Sequence, residues 1–503
     1  MSEENPIIFE NFELVWFFTV DLIHPIKNMP ESILKISESA LCEACLYYYT
    51  PEEREKGIGN VKLLCDNKDI QEEYQNLLDL FMETDFLTLD ENYLEANSYS
   101  RFILKGLKIK LPNTDKFHDA QVLLNVSKLG IAIFSFWIKL KDEKINSREL
   151  ANIQILPIKE TRDIGAEIPI EIIEELTHLD TDYLSVYNKL KKKNKTSLLL
   201  KDTSFEEIIS FYWNTLINRI FNLKFKLQDS ITSNLRCESY CVFPMVILHS
   251  KKYKYADELI KENPKQIYQI LSHMYNIDFD LIYENVLNDL LEPNITERRD
   301  IGYLDSLGSV LMIFGSETKN IIRKQMEYDK SIKSIEIEYK KNILESFIII
   351  EVLQLQRQYL NLLTQILTHP IAEMSPKEIS IMRTYLSKAL DMYHGEMTGN
   401  SLARKRLEHG KDIMEIDESF EMVNEKMELL GNALESFNNL RTSFFEVALA
   451  LIFGIIPMFY ILLPFADPIF NSIAAISITV AIIFIFLILS RWYWKRTKRK
   501  EIK

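Results

Sequence analysis

Cysteine is scarce in this chain, and recognised catalytic signatures are absent from it. Its five cysteines, Cys42, Cys45, Cys65, Cys237 and Cys241, are few and odd in number, which excludes a disulfide framework and points to reduced thiols. Cys42 and Cys45 stand in "CEAC" and, with Cys237 and Cys241, would supply four thiolates. Those spacings are loose for a zinc site, so the reading is buried free thiols, with no metal and no cofactor. The phosphate loop G-x-x-x-x-G-K-[ST], the dinucleotide fingerprint G-x-G-x-x-G, the nucleophile elbow G-x-S-x-G and the zinc motif H-E-x-x-H are all missing. The eight histidines are scattered. Enzymatic activity is therefore not expected. Positive charge is also in deficit: 59 Lys and Arg against 73 Asp and Glu leave a net charge of −14, which argues against general nucleic-acid binding. The start, "MSEENPIIFE", is acidic and lacks the layout of a signal peptide.

What the chain has in quantity is uncharged apolar sequence near its end. Twenty residues from Val447 to Ala466 carry no charge, and twenty-three more from Pro468 to Ser490 carry none. About 20 apolar residues span a bilayer as a helix, so the pattern predicts two transmembrane helices, at about 444–463 and 469–490. The short loop between them has no Lys or Arg. The tail "RWYWKRTKRK" holds Arg491, Lys495, Arg496, Lys498, Arg499 and Lys500, with Trp492, Tyr493 and Trp494 at the headgroup level. The positive-inside rule then places both termini in the cytoplasm of a multi-pass inner-membrane protein, with membrane lipid as a partner.

Upstream, residues 1–316 mix strand and helix signals. Residues 12–23 read as a strand, and 101–141 read as antiparallel strands with a turn at "SKLG". Residues 237–249 and 306–314 are two further strand candidates. Helices are expected over 30–50, 70–82, 168–190, 204–228 and 254–291, so this part is a cytosolic α/β or α+β domain. Residues 317–442 read as a helical stalk. Helices are expected over 317–369, closed by Pro370, over 376–396, and from Ser401 or Gly410 onward. In the last of these, Ile413, Ile416, Phe420, Val423, Met427, Leu430, Leu434 and Phe437 repeat at intervals of 3 and 4, a heptad seam. Continuous from 411 to 463, it would be about 80 Å long. The basic tail occupies 491–503.

The whole pattern predicts an α+β cytosolic domain, a long helical stalk and a C-terminal two-helix transmembrane hairpin. That layout resembles the CorA family of divalent-cation channels. The likeness covers about 320–503 by architecture, with Pro457 where the family carries a proline before its Gly-Met-Asn signature. Matched on that proline, the signature's place is taken by Ala466, Asp467 and Pro468, so the chain departs from the family where its cation-holding ring is built. The resemblance implies a homo-oligomer, a pentamer in that family, with divalent cations as passengers. It makes Ala466, Asp467 and Pro468 the pore mouth, and Asn438, Thr442 and Tyr460 candidates for the pore lining.

CorA-like proteins without the signature and with enlarged cytosolic domains include membrane effectors associated with type III CRISPR systems. The resemblance thus implies a channel or pore gated through its cytosolic domain by a nucleotide second messenger, in antiviral defence. The alternatives are a magnesium or divalent-cation transporter with an altered selectivity loop, and a non-conducting membrane-tethered binding or scaffold protein. Two basic stretches are candidates for the ligand site. Lys191, Lys192 and Lys193 lie in "KLKKKNK", whose plainer reading is a solvated loop. Arg298 and Arg299 lie in "ERRD", where the guanidinium fork suits phosphate and the plainer reading is a surface salt bridge.

Overall fold

A computed structural model describes residues 7–21, 29–48, 61–64, 72–90, 100–158, 162–177, 181–221, 241–273, 283–366, 379–380 and 398–462, apart from 113, 115, 128, 129, 292–294, 297 and 399. Two compact units are present: Met1–Tyr359 with Met392–Asp417, and Leu360–Asp391 with Glu418–Lys503.

The first unit is built on one sheet of eleven described strands. They are β1 (Ile8–Asp21), β2 (Cys42–Tyr48), β3 (Val61–Leu64), β4 (Ser100–Lys110), β5 (His118–Ser127), β6 (Ile131–Asn146), β7 (Ile164–Pro169), β8 (Ser197–Thr203), β9 (Cys241–His249), β10 (Ile301–Asp305) and β11 (Val310–Phe314). The main order is β10-β11-β9-β1-β6-β5-β4-β2-β3, and β7 and β8 branch from β4. All pairings are antiparallel except β11 with β9. The thirteen described helices are α1 (Met29–Ser37), α2 (Glu72–Thr88), α3 (Ser147–Gln154), α4 (Ile170–Leu176), α5 (Thr181–Lys192), α6 (Phe205–Phe221), α7 (Ala256–Glu262), α8 (Pro264–Ser272), α9 (Glu284–Leu291), α10 (Thr318–Tyr328), α11 (Ile335–Ile366), α12 (Ser401–Ile413) and α13 (Ile416–Leu462).

Side chains along β1 alternate between two covered faces. Phe12, Leu14, Trp16 and Phe18 point into a large core with Ile33 of α1, Leu150 of α3, Phe205 and Tyr212 of α6, and Ile267 of α8. Val15 and Phe17 point to the opposite face and are equally buried. There the Phe17 ring meets Phe347 of α11 at 4.8 Å between centroids, and Trp137 stacks on the same ring. Residues Ile348, Ile349, Ile350, Val352 and Leu353 are all buried too. This stretch of α11 is buried on every side.

That second face also holds a buried charge cluster. Arg101 of β4 is fully buried. It donates to Glu351 of α11 at 2.6 Å and to Asp85 of α2 at 3.2 Å, and its guanidinium lies 4.1 Å from the Phe81 ring. The Tyr48 hydroxyl donates to the second oxygen of Asp85 at 2.9 Å. Burial pushes the Asp85 carboxyl above its usual range, against the pull of Arg101.

Several expectations are corrected. The fold is α/β with a large mixed sheet, not an α+β domain with a transmembrane hairpin. Among the described residues no helix is long and apolar enough to cross a membrane. The first expected span, 444–463, falls on the last described turns of α13, Ile416–Leu462. The expected second span, 469–490, lies outside the described residues. The transmembrane, ion-channel and multi-pass inner-membrane expectations are set aside with it.

The expected helix 30–50 ends at Ser37, and "CEACLYY" is a central strand buried on both faces. Such a short apolar run carries no period that tells strand from helix. The expected helix 317–369 is two helices, α10 and α11. The expected stalk helix divides at Met414 and Glu415, where Glu415 has φ 54°. The expected helix 376–396 lies outside the described residues except for Ser380 and its neighbour Ile379.

Candidate functional site: a cavity backed by His249

A cavity of about 260 Å³ opens where β1 begins and β9 ends. Its lining includes Phe9, Glu10, Asn11, His249, Lys251 and Lys252. The strand pairing explains why these residues meet. β1 and β9 run antiparallel with Phe12 opposite Leu248, so the residues before Phe12 lie beside those after Leu248. The Lys251 ammonium stands 3.5 Å from the Glu10 carboxylate. Lys252 donates to the Tyr253 hydroxyl at 3.1 Å. The Ser250 hydroxyl accepts from the Tyr253 N–H at 2.9 Å, fixing the turn that follows β9.

His249 faces away from the main core and ties the cavity to the long helix. One ring nitrogen, Nε2, is 3.1 Å from Glu13 Oε1. The other, Nδ1, hydrogen-bonds the Tyr339 hydroxyl, on the second turn of α11. Phe314 of β11 stacks on the imidazole at 5.7 Å and packs on the Tyr339 ring at 4.4 Å. Glu13 also accepts from Trp137 Nε1 at 2.7 Å and lies 3.9 Å from the Lys139 ammonium. Burial alone would raise the Glu13 carboxyl. The His249 hydrogen bond and the Lys139 charge outweigh it and hold the group below its ordinary value. Burial, helped by the Glu13 charge, pushes the Tyr339 phenol well above its usual range. Tyr339 therefore stays a neutral hydroxyl, a permanent partner for the imidazole.

The arrangement holds a carboxylate, an imidazole and a phenol in one chain, but neither Glu13 nor Tyr339 lines the cavity. Through these bonds His249 joins the cavity wall to Glu13 and to the start of α11. No group of three or more His, Cys, Asp or Glu among the described residues is arranged to hold a metal ion.

The residues singled out in the sequence lie elsewhere. Arg298 donates through Nε and a terminal nitrogen to both oxygens of Asp300, at 3.0 and 2.6 Å. Arg299 reaches Asp257 at 3.0 Å and covers the Tyr255 ring at 4.8 Å. Both forks are thus engaged by the protein's own carboxylates. Lys191, Lys192 and Lys193 lie exposed at the end of α5, with Lys191 donating to the Tyr187 hydroxyl at 3.3 Å. Asn438 and Thr442 are exposed on α13, where the Thr442 hydroxyl donates to the Asn438 carbonyl at 2.9 Å. Tyr460 lies in the last described turns of α13, while Ala466, Asp467 and Pro468 lie outside the described residues. Cys42 and Cys45 are on β2 and Cys241 is on β9; Cys237 lies outside the described residues.

Sequence reasoning missed Glu13, His249 and Tyr339. The one available signal was a histidine closing the apolar run "VFPMVILH". Its partners stand 236 and 90 residues away, and no local pattern links them. No family model, curated protein or solved structure matches the chain.

Proposed function

We propose that the protein is a non-catalytic, ligand-responsive effector, in which a small anionic molecule bound at the β1–β9 cavity is sensed by His249 and relayed to α11. The observation that carries this reading is the double membership of His249. It is part of the cavity lining and it anchors α11 through Tyr339. An anionic group entering beside Lys251 competes with Glu10 for the ammonium. It also acts on an imidazole whose two nitrogens are both committed. A ligand moves a conformational equilibrium only through contacts that differ between the states, and the His249–Tyr339 bond is such a contact.

Hydrogen exchange on the full chain tests the proposal, with inorganic phosphate, AMP, ATP and glutamate as probes. At least one probe is expected to protect residues 248–253 and to change exchange across 335–350. The His249→Gln variant is expected to keep the first effect and lose the second. Protection at the cavity with no response in α11 of the wild type would refute the relay. Absence of protection by all four anions would refute the anionic ligand class.

A further inference from the structure

A second titratable pair lies on the same face of the sheet, away from the cavity. Asp305 ends β10 and its side chain is only 2 % exposed. Its Oδ1 lies 2.9 Å from Nδ1 of His409, in the last turns of α12. Among the described residues no other donor reaches either oxygen of that carboxylate. The neighbouring turn of α12 is held by a separate set of contacts. Arg406 donates to the Ser346 hydroxyl at 3.1 Å, lies 3.5 Å from Glu345 and covers the Tyr303 ring at 4.7 Å. Gly410 sits so close to α11 that a β-carbon there would stand 2.4 Å from Leu353 Cδ1. Five residues beyond Gly410, Glu415 takes a left-handed φ of 54°, a region that L side chains with a β-carbon seldom adopt.

We propose that the His409–Asp305 pair is a pH-gated latch: with the imidazole protonated it seats the last turn of α12 against β10, and with the imidazole neutral it lets that turn and the strained Glu415 joint go. A carboxylate this deeply buried needs a cation or several donors beside it. Neutral His409 supplies no charge, and among the described residues no other donor reaches the carboxylate. The groups facing the pair are Asp412 and Arg406 from α12, Glu345 from α11 and Tyr303 on β10. Arg406 is engaged with Glu345 and keeps the earlier part of α12 in place at any pH near neutral. The close contact with Asp305 raises the His409 pKa, burial opposes that, and the charges of Asp305 and Asp412 add to the rise. A histidine raised in the folded state contributes stability that is complete below its unfolded value, about 6.5, and is lost as pH climbs through the folded value. The latch is therefore closed in mild acid and opens on the alkaline side of neutrality.

Hydrogen exchange of the full chain at pH 6 and pH 8.5, corrected for intrinsic rates, reads this directly. Protection over 408–415 is expected to fall roughly tenfold at the higher pH, the scale of one charged hydrogen bond, while α8 is unchanged. His409→Lys, a cation at both values, is expected to stay protected at both. His409→Gln is expected to be unprotected at both. Equal wild-type protection at the two pH values, or wild-type pH dependence in His409→Gln, would overturn the proposal. If the variants fail to fold, the wild-type His409 ring titration followed by NMR decides, and titration at or below the ordinary histidine range overturns it.

Discussion

Replacing Arg101 with methionine removes the cation that joins β4 to α11 and α2. The side chain is fully buried and holds Glu351 and Asp85 at once. Methionine roughly fills the volume but leaves two carboxylates inside the protein without the guanidinium between them. Breaking a buried ion pair from one side costs about 3–5 kcal/mol. The loss of the guanidinium over the Phe81 ring adds about 1 kcal/mol. Urea unfolding of the full chain, followed by the fluorescence of Trp16 and Trp137 in the sheet, measures the difference. A triple variant, Arg101→Met with Asp85→Asn and Glu351→Gln, removes the stranded charges, and its stability is expected to return to within about 2 kcal/mol of the wild type. The pH dependence has a fixed sign. Asp85 is already raised by burial and, without Arg101, rises further. A carboxyl raised in the folded state favours folding below its unfolded pKa and ceases to do so as pH rises through its folded value. The deficit of Arg101→Met is thus largest near neutrality and shrinks on acidification. A loss below about 1 kcal/mol at pH 7, a size typical of exposed pairs, would refute the assignment of this cluster as the anchor of α11.

Two further predictions come from other parts of the molecule. Burial lowers the His273 pKa to about 4, so its contribution to stability is present above the unfolded value and is lost as pH falls toward 4; His273→Asn, which suits the left-handed φ of 56°, is expected to flatten the acid limb of a stability–pH curve, and an unchanged limb would refute it. Phe437, Leu440, Phe445 and Leu449 are exposed on α13, with Leu440 66 % accessible, on the helix where the heptad seam runs. Self-association through this helix face is expected in sedimentation at micromolar concentration, and Phe437→Ser with Leu440→Ser is expected to yield monomer; a wild-type monomer would remove the self-partner.

The heptad pattern shows how far local reading carries. Ile416, Val423 and Leu430 are buried as their spacing predicts, but Phe437 is exposed. Periodicity fixes which residues share a face and does not say where that face finds a partner. The candidate site was less legible still. Arg298 and Arg299 stood out as a dense basic pair, yet each is engaged by a nearby carboxylate, Asp300 or Asp257. Charge density in a sequence does not report which charges the fold has already matched.

By itself the sequence determined that β1 is a strand and that β4, β5 and β6 run antiparallel. These depend on residue period and on turns such as Gly130, whose N–H donates to Ser127 with φ at 84°. It also determined the acidic balance. Only the tertiary structure decided that β9 joins β11 in parallel inside one mixed sheet, and that "CEACLYY" is a strand. It likewise decided that Glu13, His249 and Tyr339 meet, as do Arg101 with Glu351 and Asp305 with His409. Such pairs join residues about 90 to 250 positions apart. They are selected by the cost of leaving a buried charge or hydroxyl unmatched, a cost that exists only once the layers have closed.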